Sequence, residues 1–330
     1  MNTKHAKSPC CRGEIIKYGR RRRQCVVCQT TWRIRKQKQG RKKKRYSCRL
    51  LEKYLDHKIP VISKLAELRS TSRRILDKRL IQELSVFVRK TPWPKVPQDR
   101  DLVAIADAMI KKIDGKTHSI YFILLRPVDS NKAIITRPLI AEGKESSPLW
   151  KKAFGRLPRK ALSSIKAIVC DGHLGLRRAA RSNGWIIQRC HFHLLASLQG
   201  RRSRSKYSLH QKMGKFIYQT ALAVLNTKDE KIIVKRLDRF KKIIPTVSSP
   251  RFKWMLAGFI RDHRDYRSYL KYPELNLPKT SNVAEAVISM VRDLCYKARG
   301  FRTKKSLRIR ISALVKYKKT VVCNGHLPTK

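Results

Sequence analysis

The run Ile168-Val169-Cys170-Asp171-Gly172-His173-Leu174-Gly175 constrains the chain more than any other stretch. Its apolar, β-prone residues, with Ile165 ahead of them, read as a short buried strand that ends on a carboxylate, and two glycines permit a tight exit into a helix. Open α/β sheets place their chemistry at the carboxyl ends of buried strands, so Asp171 is marked as a site residue and the chain as α/β. A second acid, Asp107, ends another buried-strand run, Leu102-Val103-Ala104-Ile105-Ala106-Asp107-Ala108. A third, Glu285, follows Thr280-Ser281-Asn282-Val283-Ala284 in the first turn of a late helix.

The surrounding periodicity supplies the architecture. His118 to Leu125 and Ala133 to Ile140 are further β-rich runs, separated by turn residues at Asp114-Gly115 and Asp129-Ser130-Asn131. Glu145 to Phe154 reads as a helix, Ile165 to Cys170 as a strand, Leu174 to Arg181 as a helix and Trp185 to Gln188 as a last strand. An antiparallel meander followed by alternating helix and strand is the order of a ribonuclease H-like core, expected here over 98–193. Residues 194–279 are almost all helical in pattern, with Arg201, Arg202 and Arg204 at the entry, and form an all-helical insertion. The final helices and a basic tail occupy 280–330.

Charge narrows the partners. Lys and Arg number 79 against 22 Asp and Glu, a formal +57. Such an excess repels itself unless a polyanion neutralises it, and nucleic acid is the commonest large one; the helix-turn-helix pattern over 46–91, whose last helix would enter the major groove, points to double-stranded DNA. A membrane is the rival polyanion, but the apolar runs fall far short of the roughly 20 residues that a span needs. With no charged-then-apolar leader, an intracellular protein is expected, in the cytoplasm or nucleoid if bacterial.

Two DNA-reading units are expected ahead of the core. Residues 1–45 hold Cys10, Cys11, Cys25 and Cys28, and two cysteine pairs about 14 residues apart can close a tetrahedral Zn²⁺ site. A ribbon of the Cys-Pro-x-Cys and Cys-x-x-Cys type would want cysteine where Ser8 stands, so either Cys10 and Cys11 both ligate, or His5 joins Cys11, or the site is degenerate. The rival reading is reduced thiols in a basic arm. A charge run from Lys36 to Arg45 separates this unit from 46–91, whose amphipathic sets at Leu50 to Leu55, Val61 to Leu68 and Ile75 to Leu84 fit a helix-turn-helix. The capped last helix carries Arg73, Arg74 and Lys78 toward DNA; a hairpin that only packs is the alternative. Thr91-Pro92-Trp93-Pro94 ends it.

Each acid also has a plain structural reading. Asp107 could face solvent, Asp171 could cap the following helix through an Asx turn, and Asn282 with Glu285 makes a capping box. Together they weigh more, because all three adjoin apolar core runs in a chain poor in acids. Phosphodiester cleavage needs charge neutralised at an attacking and a leaving oxygen, which two Mg²⁺ (or Mn²⁺) ions held by a few carboxylates provide.

The ordered set of Asp107, Asp171-Gly172-His173-x-Gly175, Cys190-His191-Phe192-His193 and Thr280-Ser281-Asn282-x-x-Glu285, with Arg292 seven residues on, resembles the DDE transposases of the Mutator-like group and related bacterial insertion-sequence enzymes. The resemblance covers about residues 100 to 310. It implies a ribonuclease H-like core with a helical insertion, two divalent ions on Asp107, Asp171 and Glu285, and cut-and-paste or related transposition. It places Cys190 and His193 in a Cys-x-x-His element near the active site and DNA, with Asn282 and Arg292 in support. Structural or DNA-positioning use of Cys190 and His193 is preferred to a zinc site, since no second pair lies nearby. The expectation is a transposase that binds inverted-repeat ends, cuts them and joins them to a target, as a homodimer or higher oligomer. Its rivals are an inactive transposase-derived DNA-binding regulator and a nuclease that cuts without joining.

Overall fold

The computed structural model describes residues 10–18, 22–33, 48–56, 62–68, 70–202, 208–247, 250–299, 301 and 303–323. The chain divides into two compact units, 1–50 and 51–330. In the first, β1 (Ile15–Lys17), β2 (Arg22–Cys25) and β3 (Thr31–Arg33) form a three-stranded antiparallel sheet in sequence order. His5, Ser8 and the charge run from Lys36 to Arg45 lie outside the described residues.

Three helices, α1 (Cys48–Leu55), α2 (Ile62–Leu68) and α3 (Arg73–Lys90), lead to the large sheet. Ser72 caps α3 by accepting the Ile75 N–H, which satisfies one of the orphan donors of the first turn. Leu76, Leu80 and Leu84 recur every four residues along α3 and are buried, and the helix stops at Thr91, before Pro92.

The large sheet contains β4 (Leu102–Ile113), β5 (Lys116–Pro127), β6 (Lys132–Ile135), β7 (Leu139–Glu142), β8 (Ile165–Cys170), β9 (Ile186–Arg189) and β10 (Thr320–Val322). Its order is β10-β6-β5-β4-β8-β9, with β7 also paired to β5. The first strands form the expected antiparallel meander, whereas β8 pairs in parallel with β4 and β9 with β8. The run read as one strand from Ala133 to Ile140 is two, broken at Arg137-Pro138, where proline has no N–H to give to a ladder. β6 and β7 therefore meet different stretches of β5.

Strand alternation decides what each face carries. Leu102, Ala104 and Ala106 of β4 and Ile168 and Cys170 of β8 pack into one core with Trp150, Phe154, Leu176, Ala180 and Trp185. Those partners come from α4 (Ser147–Phe154), α6 (Leu174–Ser182) and the approach to β9, with the short α5 (Arg159–Ser163) beside β8. Gly175 allows α6 this close, because a Cβ there would stand 2.9 Å from the Ser147 Cα.

From α7 (His191–Arg202) the chain is helical through α8 (Ser208–Asn226), α9 (Glu230–Ile243), α10 (Pro250–Asp262) and α11 (Ser268–Lys271), around a separate core that includes Ile217, Leu225, Phe240 and Phe259. This agrees with the expected helical segment, although its first helix starts three residues early, at His191. Two more helices follow, α12 (Asn282–Lys297) and α13 (Lys304–Lys318). Within 280–330, expected to hold the final helices and a basic tail, α13 packs on α3, and the segment after it adds the edge strand β10. No described helix is long and apolar enough to cross a membrane.

Candidate active site

Asp107 and Asp171 share a face of the sheet by register. β4 and β8 pair in parallel at Ile105 and Val169; Asp107 lies two residues further along β4, and Asp171 two residues beyond Val169, just past the end of β8. An even step along a strand returns to the same face, here the one opposite the Trp150 core. α12 lies against β4 and β5, and brings Glu285 in its first turn. Asp107 is not at a strand end, as its run of apolar residues had implied. β4 continues six residues beyond it, because Lys111 and Lys112 pair with β5 despite their charge.

Ligand atoms of Asp107, His193 and Glu285 lie within 4.8 Å of one another. His193 Nε2 is 3.5 Å from Glu285 Oε1, and Arg292 Nη1 is 3.7 Å from Glu285 Oε2. Asp107 Oδ1 accepts the Ala108 N–H, while its buried Oδ2 has no hydrogen-bond partner among the described residues. Asp171 stands outside that tight group but close enough for its charge to act on it. Burial first, and then the Asp171 charge, push the Asp107 carboxyl up to about 7. His193 is pushed up to about 9, first by the neighbouring Cys190 thiol and then by the charges of Asp107 and Asp171. The centre is thus a knot of negative charge held together by one imidazolium and by Arg292 at the rim.

Asp171 Oδ1 does accept the His173 N–H, an Asx turn that aims the carboxylate, and His173 itself caps α6 by accepting the Gly175 N–H. The capping box at Asn282 is absent: the helix opens one residue earlier than that box requires, with Ser281 at the cap and no side-chain cap bond. Asn282 is exposed, and Glu285 faces His193. Cys190 is buried, and its Sγ accepts the Ser281 N–H, which ties the start of α7 to the start of α12.

Two contributors, Glu145 and Arg189, were not marked by the sequence. Glu145 accepts from Trp150 Nε1 at 2.7 Å, and its carboxyl is raised by burial and, in part, by the Asp171 charge. Gly172 has φ +95°, and a Cβ on it would stand 2.3 Å from the Arg189 Nε. Arg189 in turn points Nη2 at the Asp171 carbonyl oxygen, at 3.3 Å, and lies over the Tyr266 ring. The glycine was legible in Asp171-Gly172; the arginine that needs it was not.

In the other unit, the thiols of Cys10, Cys11, Cys25 and Cys28 converge. Sγ separations are 3.2 Å for Cys10–Cys28 and Cys11–Cys25, 3.6 Å for Cys11–Cys28 and 4.0 Å for Cys10–Cys11. A tetrahedral zinc with bonds of about 2.3 Å spaces its sulfurs about 3.8 Å apart, close to this range. The residues expected on DNA in α3, Arg73, Arg74 and Lys78, are all exposed, and Arg73 also donates to the Ala298 carbonyl.

No curated protein matches the chain. The sequence pattern of the family described as Transposase, Mutator family, matches residues 103–316, a span that contains Asp107, Asp171, His193 and Glu285. Since that span is about two thirds of the 330 residues, the chain belongs to the Mutator family of transposases.

Proposed function

We propose that the protein binds the terminal inverted repeats of a mobile element and catalyses metal-dependent DNA cleavage and strand transfer on a ribonuclease H-like core. Asp107, Asp171 and Glu285 are the ligands for two divalent ions, Mg²⁺ or Mn²⁺. The observation that carries this reading is the register of the two aspartates beyond the Ile105–Val169 pair, with Glu285 brought to the same face by α12. The donor set fits hard cations: carboxylates, one of them with a buried oxygen left without a partner. When bound, such ions neutralise the phosphoryl oxygens and lower the pKa of an attacking water or 3′ hydroxyl.

The chain's own residues orient the rest. The Asx turn and Arg189 fix the peptide that carries Asp171, so its carboxylate meets the reaction already placed. His193, cationic at neutral pH, holds Glu285 and offsets the mutual repulsion of the acids before DNA arrives. Arg292, at the exposed rim, is placed to take a phosphate. Zn²⁺ on Cys10, Cys11, Cys25 and Cys28 would fix the small sheet as a ribbon, and α1 to α3 would read the repeat as a helix-turn-helix. Pairing two element ends requires a homodimer or larger assembly.

A donor-plasmid transposition assay with Asp171→Asn tests the reading. Loss of excision and joined product by at least about a hundredfold is expected, as for removal of an essential electrostatic group. Unchanged biological activity would leave a DNA-binding regulator instead, and cutting without recovered joined product would leave a nuclease.

A further inference from the structure

We infer that a hollow beside the acidic centre seats an unstacked nucleobase of a single DNA strand, with Tyr296 as the stacking platform. It deepens the transposase reading and rests on it. The hollow has a volume of 420 Å³ and is lined by Met109, Ile110 and Lys111 of β4 and by Arg292, Cys295, Tyr296 and the following Arg299.

The two elements that carry Asp107 and Glu285 are also the walls of this hollow. On α12, steps of seven and then four residues from Glu285 give Arg292 and Tyr296, one row on one helix face. At 1.5 Å per residue that row is about 16 Å long. On β4, Lys111 is four residues beyond Asp107, the same face, about 13 Å on. A strand held at the acids and following either wall reaches the hollow within about five nucleotides, at 3.4 Å each when stacked.

The chemistry of the lining selects the occupant. Tyr296 is 72 % exposed and Ile110 57 %, two large apolar groups left facing water in a chain that buries most others. Three cations, Lys111, Arg292 and Arg299, line the hollow with no acid among its lining residues. An exposed ring flanked by cations suits a base face and its phosphates, and in a duplex those faces are covered by their neighbours. The strand must therefore be unpaired there, as it is at a nicked or frayed end.

Photo-cross-linking of the full-length protein tests this without any added divalent metal, so that cleavage plays no part. The probe is a 20-nucleotide single-stranded oligodeoxynucleotide carrying 5-iodo-2′-deoxyuridine, at salt high enough to suppress general phosphate binding. The adduct is expected on Tyr296. Tyr296→Phe should keep it and bind within about twofold of the parent, whereas Tyr296→Ala should lose it and bind about 5- to 150-fold more weakly, the loss of one stacked base. Trp254→Ala, which removes a similarly exposed ring on α10, should change neither. Adducts only elsewhere, equal binding by Tyr296→Ala, or a Phe variant as impaired as the Ala variant would overturn the proposal. If the adduct forms on Tyr296 while Mg²⁺ supports no cleavage, the strand seat stands and the transposase chemistry falls.

Discussion

Arg189, the last residue of β9, lies with Nη1 3.4 Å from Oδ2 of Asp262, the last residue of α10, and so joins the sheet to the helical segment. Asp262 also takes Arg177 at 2.9 Å and Arg261 at 3.0 Å. Burial works against its charge, but the hydrogen bonds from Arg261 and Arg177 keep its carboxyl below the usual range. Removing the acid leaves Arg189 without a carboxylate and Arg177 with only Asp265, at 3.5 Å, both largely buried, while removing Arg189 leaves Asp262 two partners. Asp262→Ala should therefore cost about 3 to 5 kcal/mol and Arg189→Met less, about 1 to 3. Chemical denaturation of both variants checks the order. Arg189→Met should also lower cleavage more than its stability loss explains, because the Asp171 peptide loses its brace.

Asp107 makes the metal-free protein sensitive to pH. Its unfolded carboxyl ionises near 3.8 and its folded one near 7, so between those values the folded state holds the extra proton. Stability then falls as pH rises through that window, and the full penalty, a few kcal/mol, persists above it. Asp107→Asn is expected to melt higher than the parent at pH 8 without divalent metal and to show no advantage at pH 3. Thermal melts at both pH values are the check, and Mg²⁺ should stabilise the parent more than the variant at pH 8.

The four thiols predict one zinc per chain. Cys25 is fully buried, so Cys25→Ser should abolish zinc retention and unfold the small sheet, while Cys170→Ser, on β8 in the other unit, should keep the metal. Zinc released by a thiol-blocking reagent and counted with a chromogenic chelator measures the difference.

Arg310, 1 % exposed on α13, donates to Tyr54 of α1 and Asp77 of α3. Asp77→Ala leaves a buried cation without its counter-ion and should cost about 3 kcal/mol or more. The double variant Asp77→Ala with Arg310→Met should recover much of that loss. A double-mutant cycle in denaturant gives the coupling; equal losses in the single and double variants would refute it.

What the sequence made legible follows from how local each signal is. The strands at Leu102 and Ile165 and the helix at Asn282 announce themselves through apolar runs, and with them came Asp107, Asp171 and Glu285. Arg292 came instead from the family resemblance, as the residue seven positions after Glu285. The limits of α13, one of the final helices expected over 280–330, were not legible, because Arg310 and Lys316 are charged residues buried through partners hundreds of positions away, and periodicity counts them as surface. The break at Pro138 is readable in principle, since a proline inside a β-rich run has no N–H to give to a ladder. The brace from Arg189 to Asp262 spans 73 residues and has no local trace. His193 was marked by its spacing from Cys190, yet only folding reveals that it faces the acids.

The edge strand β10 pairs with β6, and in the chain it follows α12 and α13. A ribosome making this protein must pass Glu285 before the acidic centre can assemble, and must reach Val322 before the sheet is closed. The acidic group therefore comes together only after α12 has left the ribosome, and not as the first strands of the sheet emerge.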